Sequence, residues 1–431
     1  MIVDQLNTSL RGGAAIAARR LHQGLMDAGE TSRLWCKHAR SPDELQGNIA
    51  EITFRESVSV QSIRQFAKYK IHERQLRGRS DEFEIFSMPW AKTKASHYSE
   101  SPLEGDVLHL HWVNWWFDFP SFFNTIPTSL PIVWTLHDMN PITGGCHHHD
   151  GCEHFHSQCG NCPQLKYPRS NDVSRLGFEA KKRAYQGKEI HVVTPSRWLR
   201  RQVEQSDLMS DAASVRTIYN GLDTKQFAPI DRATARRELG LPLDKTVLGF
   251  GAVSLANRRK GLREFISSVS KLNNVSDVIC LGFGDADASE LQQQLPQFRT
   301  TGYLSNARDL ALAYSASDVF VLPSFAENMP QMAVEAMACE TPVAAFDVGG
   351  IPEIVIAGKT GSLAPLGNCN ALAANIQAMI DDPIERLERG RAARKLIVRE
   401  FDQGKQTEKY LELYHSIAPQ ATHSCRGRKV G

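Results

Sequence analysis

The chain has 431 residues, with 50 Lys and Arg against 48 Asp and Glu and a formal net charge of +2. Such a balance gives no electrostatic reason to expect a nucleic-acid partner, and the length is too great for one core, so two domains are predicted. A composition of 42% hydrophobic and 23% charged residues is ordinary for a globular protein, and no run approaches the roughly 18 apolar residues of a membrane span.

The start, MIVDQLNTSLRGG, lacks the basic flank and apolar core of a signal peptide, so a cytoplasmic location is expected. Of the nine cysteines, Cys36, Cys280, Cys339, Cys369 and Cys425 are scattered singly, which suits a reducing compartment.

Short apolar runs alternate with amphipathic stretches, the pattern of parallel sheets covered on both faces. The first predicted strand, Ile2 to Leu6, leads into Gly12 and Gly13 at a helix start, where missing side chains let a ligand approach the backbone. IRQFAKYKIHERQLRGR (63–79) carries six basic residues and His72 against Glu73, with Ile63, Phe66, Ile71 and Leu76 interleaved. It reads either as a helix lying on an anionic membrane or as a solvated basic helix.

The second strand, Val107 to His111, carries His109 and His111 on one face. The third, Ile132 to Leu136, ends in His137 and Asp138. Next comes CHHHDGCEHFHSQCGNCP, with Cys146, Cys152, Cys159 and Cys162 spaced C-x5-C-x6-C-x2-C and His147, His148, His149, His154 and His156 beside them. Four thiolates at such spacing suit a tetrahedral structural zinc, with two disulfides as the competing reading. A catalytic metal is not expected, because four Cys ligands leave no open position.

After a strand at His191 to Thr194, the joint between domains is placed near IYNGLDTKQFAPI (218–230). The second series of strands is Val247 to Gly251, Val278 to Gly282, Val319 to Leu322 and Pro342 to Phe346. GFGAVS (249–254) and GFGDAD (282–287) begin like dinucleotide fingerprints but do not complete them. A nucleotide-cofactor oxidoreductase is therefore kept only as an alternative, beside a non-catalytic zinc-stabilised binding protein.

After the strand at 319–322 comes PSFAENMPQMAVEAMACE, in which Pro330 fits the first turn of a helix. The free N–H groups of that helix start suit an anion such as a diphosphate. Glu335 lies about five residues in, or ~7.5 Å along the axis, inside an otherwise apolar run. A buried carboxylate needs a partner. Either a neighbouring Arg or backbone group satisfies it, or it accepts ribose hydroxyls while Glu327, on the preceding loop, reaches the group beyond the phosphates.

Glu327 and Glu335, with Pro323, Ser324 and GGIPEIV (349–355), resemble the E-x7-E signature of the retaining glycosyltransferases of family 4, in its bacterial polysaccharide-biosynthesis branch. The likeness runs from RGGAAIAARRLHQGL to EFDQGKQTEKYLELY. It implies the α/β GT-B fold: an acceptor-side Rossmann-like domain over 1–222, a nucleotide-sugar domain over 223–404 and a helix at 405–418 packing back on the first. The end of the chain, PQATHSCRGRKVG, reads by itself as a disordered tail, 419–431. The likeness further implies that Glu335 binds the donor ribose and Glu327 the donor hexose. Asn328, Met329, Pro330 and Gln331 would surround sugar and phosphate, and Tyr303 and Leu304 would lie beside the base.

In NRRKG (257–261), Lys260 matches the family's diphosphate lysine, while Ser254 stands where the family has an arginine, leaving Arg258 or Arg259 to replace it. His137 matches the active-site histidine, with His109, His111 and Asp138 as further acceptor-side candidates. The expected substrates are a UDP or GDP sugar and a saccharide or lipid-linked acceptor, with the enzyme cytoplasmic or peripheral on the inner face of the membrane, and no nucleic acid.

Overall fold

The computed structural model describes residues 1–52, 60–80, 83, 85–91, 98, 101–255, 257–285, 292, 293, 295 and 297–418, without the side chains of 60–65, 68, 254 and 285. The tail at 419–431 lies outside the described residues, as do the side chains of Ile63, Arg64, Lys68 and Ser254.

Two parallel sheets organise the chain. The first contains β1 (Ile2–Leu6), β2 (Thr31–Cys36), β3 (Ile49–Glu51), β4 (Val107–Leu110), β5 (Ile132–Thr135), β6 (Ile190–Thr194) and β7 (Ser214–Thr217), in the order β3-β2-β1-β4-β5-β6-β7. The second contains β8 (Thr246–Ser254), β9 (Val278–Asp285), β10 (Phe298–Thr300), β11 (Val319–Leu322), β12 (Val343–Phe346) and β13 (Gly361–Ala364), in the order β10-β9-β8-β11-β12-β13. Every residue of β4, β5, β6, β11 and β12 is buried. Strands covered on both faces lose all their water contacts, so they need mostly apolar segments, and the histidines in β4 and β6 are hydrogen-bonded.

In each sheet the strand order reverses once, between β1 and β4 and between β8 and β11. Helices on either side of such a point diverge and leave a crevice beyond the carboxyl ends of the strands. The loops after β1, β4, β8 and β11 all contribute residues to one cleft.

The last helix, Gln403–Ile417, returns to the first sheet, where Tyr410, Leu413 and Tyr414 pack with Val3, Leu21, Leu25, Val107 and Val133. Tyr410 Oη lies 2.6 Å from Thr135 Oγ1. The chain therefore passes between the sheets twice, and the two passages touch. Leu222 N donates to Phe401 O at 2.8 Å and Gln403 N to Leu222 O at 3.0 Å. Their closeness depends on Gly221, since a Cβ there would stand 2.8 Å from Gln403 Cα. Among the described residues, no helix is long and apolar enough to cross a membrane.

Candidate functional site

β11 ends in Leu322, and the following loop carries Glu327 and bends at Asn328 and Met329 before the helix Gln331–Ala338. Pro330 stands at the cap, one position ahead of the helix rather than in its first turn, with its carbonyl accepting from Ala333 N and Val334 N. Glu327 is buried, and its Oε1 lies 2.6 Å from Lys260 Nζ and 3.1 Å from a guanidinium nitrogen of Arg259. Burial by itself would push this carboxyl up, but the two cations and a hydrogen bond from Lys260 outweigh it and bring it down to about 2.

The basic loop can lie this close because Gly261, at φ 75°, sits where a Cβ would meet Pro323 O at 1.9 Å. Arg258 points elsewhere: it pairs with Glu264 at 2.8 Å and lies over the Phe325 ring at 4.5 Å. Of the two arginines weighed as replacements, Arg259 lines the cleft and Arg258 does not.

Glu335 is the fifth residue of its helix and is buried. Its Oε1 accepts from Arg20 at 2.7 Å and its Oε2 from the Tyr314 hydroxyl at 2.9 Å. Arg20 belongs to the helix Gly13–Asp27 and also donates to Gln331 Oε1 at 2.8 Å. The carboxylate thus has the arginine partner that its apolar surroundings require, and it lines the cleft as well.

Across the cleft, His137 follows β5 and stacks on His111, with ring centroids 5.3 Å apart. The chain of bonds fixes the protons. Gln5 Nε2 donates to Ser32 Oγ, so Gln5 Oε1 accepts from His111 Nε2 at 2.9 Å. His111 Nδ1 is then an acceptor, and His137 Nε2 donates to it at 3.1 Å, leaving His137 Nδ1 without a proton. Burial lowers His137 to about 4, against the opposing pull of Asp138. Burial also puts His109 and His111 well below the ordinary imidazole value.

His109 and His111 do share a face, with centroids 4.1 Å apart. However, His109 faces Thr135 Oγ1 at 2.8 Å and Tyr414 Oη at 2.7 Å, which makes it a packed histidine under the last helix. Asp138 accepts from His147 Nδ1 and Trp112 Nε1, both at 2.7 Å, and from Asn140 N at 2.8 Å. Although burial opposes ionisation, His147 and these bonds hold Asp138 well below the usual carboxylate range. Asn328 ties the two walls together, taking a bond from Ser196 Oγ at 2.5 Å and giving one to Leu136 O at 3.2 Å.

The cleft has a volume of about 460 Å3, within the usual range for a small-molecule site. Gly12, Gly13, Tyr303, Leu304, Met329 and Gln331 line it together with Glu327, Glu335, Lys260, Asn328, Pro330, His137 and Asp138. Arg20 and Trp112 were missed from the sequence. An arginine on an amphipathic helix gives no local sign that its partner lies 315 positions away. The HWVNWWFDF run did offer a cue, in its density of indoles.

Cys146, Cys152, Cys159 and Cys162 are free thiols gathered with His149 around a separate cavity of about 10 Å3. Gly144 N donates to Cys159 Sγ at 3.3 Å. Burial pushes the Cys159 thiol up to about 12 and the Cys162 thiol up to about 11. As they stand, no three or more His, Cys, Asp or Glu side chains among the described residues are arranged to hold a metal ion. In the basic segment, Lys70 pairs with Glu73 at 2.6 Å, and Phe66 and Ile71 are exposed.

Residues 244–382 match the family described as Glycosyl transferases group 1. The chain is 28% identical over 333 residues to alpha-maltose-1-phosphate synthase of Mycolicibacterium smegmatis, covering 72% of this chain and 79% of that one. It is 32% identical over 221 residues to D-inositol 3-phosphate glycosyltransferase of Corynebacterium aurimucosum, covering 48% of this chain and 52% of that one.

Among solved structures, sucrose-phosphate synthase from Thermosynechococcus elongatus superposes with a TM-score of 0.67 at 20% identity, over 96% of this chain and 98% of that one. Anabaena Alr3699/HepE, in complex with UDP and glucose, gives 0.66 at 18% identity, over 96% and 100%. None of these likenesses supports the oxidoreductase alternative.

Proposed function

We infer that this glycosyltransferase, with its group 1 domain and GT-B fold, moves a hexose from a nucleoside diphosphate to a hydroxyl of a saccharide acceptor with retention at the anomeric carbon. The observation that carries the reading is the pairing of Glu327 with Lys260 and Arg259 at the mouth of the Gln331–Ala338 helix. Two cations against one carboxylate leave one positive charge, and the helix start adds free N–H groups. Such a charge and such donors would stabilise the negative charge that develops as a diphosphate departs. The UDP bound by Alr3699/HepE supports a nucleotide of that kind.

The bond from the anomeric carbon to the phosphate oxygen breaks, and the acceptor oxygen bonds to the same face of the sugar. The acceptor's proton passes to the departing phosphate oxygen. Glu327, held ionised, positions the hexose. His137 presents its unprotonated Nδ1 as an acceptor for a sugar hydroxyl. Tyr303 and Leu304 flank the base, and Glu335 receives the ribose hydroxyls once Arg20 yields.

A role in cell-surface polysaccharide synthesis fits a saccharide acceptor. The test mixes the protein with UDP- and GDP-linked hexoses and measures free nucleoside diphosphate. Release above the hydrolytic background, dependent on Lys260, supports the reading. Absence of both release and calorimetric nucleotide binding ends it.

A further inference from the structure

The loop after β4 reads HWVNWWFDF from His111 to Phe119, and its aromatic residues have different fates. Trp116 and Phe117 are buried, 6% and 2% exposed, whereas Trp115 beside them is 52% exposed. The backbone causes the split: Trp115 has φ 61°, the left-handed region. A bulky residue there costs on the order of 1–3 kcal/mol, and a turn built only for connection would place glycine or asparagine there. An exposed indole also forfeits its hydrophobic stabilisation.

The strained loop is firmly held. Thr8 N donates to Trp112 O at 2.8 Å, Thr8 Oγ1 to Asn114 O at 2.8 Å, Asn7 Oδ1 accepts from Trp112 N at 2.9 Å, and the Lys37 ammonium donates to Trp115 O. The Trp115 ring meets that of Trp112 edge to face, with centroids 5.2 Å apart and planes at 85°. Trp112 lines the cleft beside His137 and Asp138, with its Nε1 committed to Asp138. The two indoles therefore make a rigid aromatic corner continuous with the transfer site, on the wall opposite Glu327 and Lys260.

We propose that Trp112 and Trp115 form an acceptor subsite that stacks a pyranose ring of a saccharide acceptor. The inference rests on reading the cleft as a glycosyl-transfer site. A pyranose has one face of C–H bonds, which packs on the negative face of an indole, and a rim of hydroxyls. That combination suits an apolar plate bordered by hydrogen-bonding groups. A membrane surface is the other chemistry that exposed indoles serve. It is disfavoured here because Lys37, the cation at the corner, spends its ammonium on the Trp115 carbonyl, and because Trp112 faces the cleft.

The experiment uses the full chain on an array of neutral oligosaccharides with UDP present, alongside calorimetry with UDP alone and sedimentation with phosphatidylglycerol vesicles. Trp115→Ala should weaken saccharide retention about tenfold. Trp115→Phe should retain most of it, and UDP binding should be unchanged in both. Equal retention by wild type and Trp115→Ala overturns the subsite. So does wild type that binds UDP but no saccharide, which leaves the transferase reading standing. Vesicle binding lost in Trp115→Ala without any change in saccharide retention assigns the indole to the membrane instead. Wild type that binds neither UDP nor saccharide removes the reading of the cleft itself, and the subsite with it.

Discussion

Arg20 and Glu335 meet at 2.7 Å, joining the first helix of one sheet's layer to the helix that bears the second carboxylate of the other. With side chains only 15% and 4% exposed, the pair is largely shielded from water. Removing one member of such a pair is costlier than removing both. Whatever hydroxyls Glu335 accepts must compete with a guanidinium already in place.

Substitution of Glu335 by Gln keeps the shape and removes the charge. The expected loss of nucleoside diphosphate affinity is about tenfold to a hundredfold, or roughly 1.5–3 kcal/mol. Arg20→Ala should leave that affinity unchanged or raise it, while lowering the melting temperature. Calorimetric titration of both variants checks this. A Glu335→Gln protein with wild-type affinity and lowered stability would mean that the carboxylate serves only Arg20 and Tyr314.

Glu327→Gln should act on a different quantity. Its contacts are Lys260 and Arg259, so free nucleoside diphosphate should still bind, and should bind more tightly as the cations are released. Transfer from the intact sugar nucleotide should fall by about a hundredfold or more. Equal losses in nucleotide affinity and in transfer would remove the assignment of Glu327 to the hexose.

The histidine stack predicts a pH dependence of stability. His137 sits at about 4 against an ordinary 6.5, and His109 and His111 are also lowered, in each case chiefly by burial. As pH falls, the unfolded chain takes up these protons before the folded one does. Stability is therefore complete above about 6.5 and declines as pH falls toward 4, by up to about 1.4 kcal/mol per pH unit for each ring. Glu327, lowered from 4.5 to about 2, adds its loss in the window below. Urea unfolding followed from neutral pH to about pH 5 measures the slope. A flat profile would show that these rings do not titrate as placed.

Turning the Cys146, Cys152, Cys159 and Cys162 thiols inward on their shared cavity would give a four-thiolate zinc site. The expectation is about one zinc per chain after purification under reducing conditions. Cys159→Ser should then lose metal and lower the melting temperature. Metal-free wild type with four titratable thiols and unchanged melting in chelator would dispose of the site.

The strands legible in the sequence are those with short, mostly apolar runs bounded by turn residues, β1, β4, β5, β6, β8, β9, β11 and β12. The four strands at the sheet edges, β3, β7, β10 and β13, carry no such signal. SVRT and FRT are short, with a charged residue in each, because one side of an edge strand needs no apolar cover. β2 also escaped, since Arg33 in TSRLWC is paired with Asp4 at 2.6 Å rather than exposed as its charge suggests. In the site, the E-x7-E spacing and the basic loop were visible because their residues are close in sequence. Arg20 was not, because it gains its meaning from a fold-distant partner, and although the indole-rich run gave a cue, which of its indoles is exposed depends on one backbone angle.

The two passages of the chain between the sheets, bonded to one another at Leu222, Phe401 and Gln403, leave the halves little freedom to slide or twist independently. Two tethers fastened side by side act as a single pivot, so relative motion reduces to one angle about that line. Opening by that angle would part Arg20 from Glu335 and Asn328 from Ser196 together. Gly221 sits on the pivot, and a methyl group there would wedge the tethers apart. A substitution far from any substrate atom would then shift how often the cleft stands open.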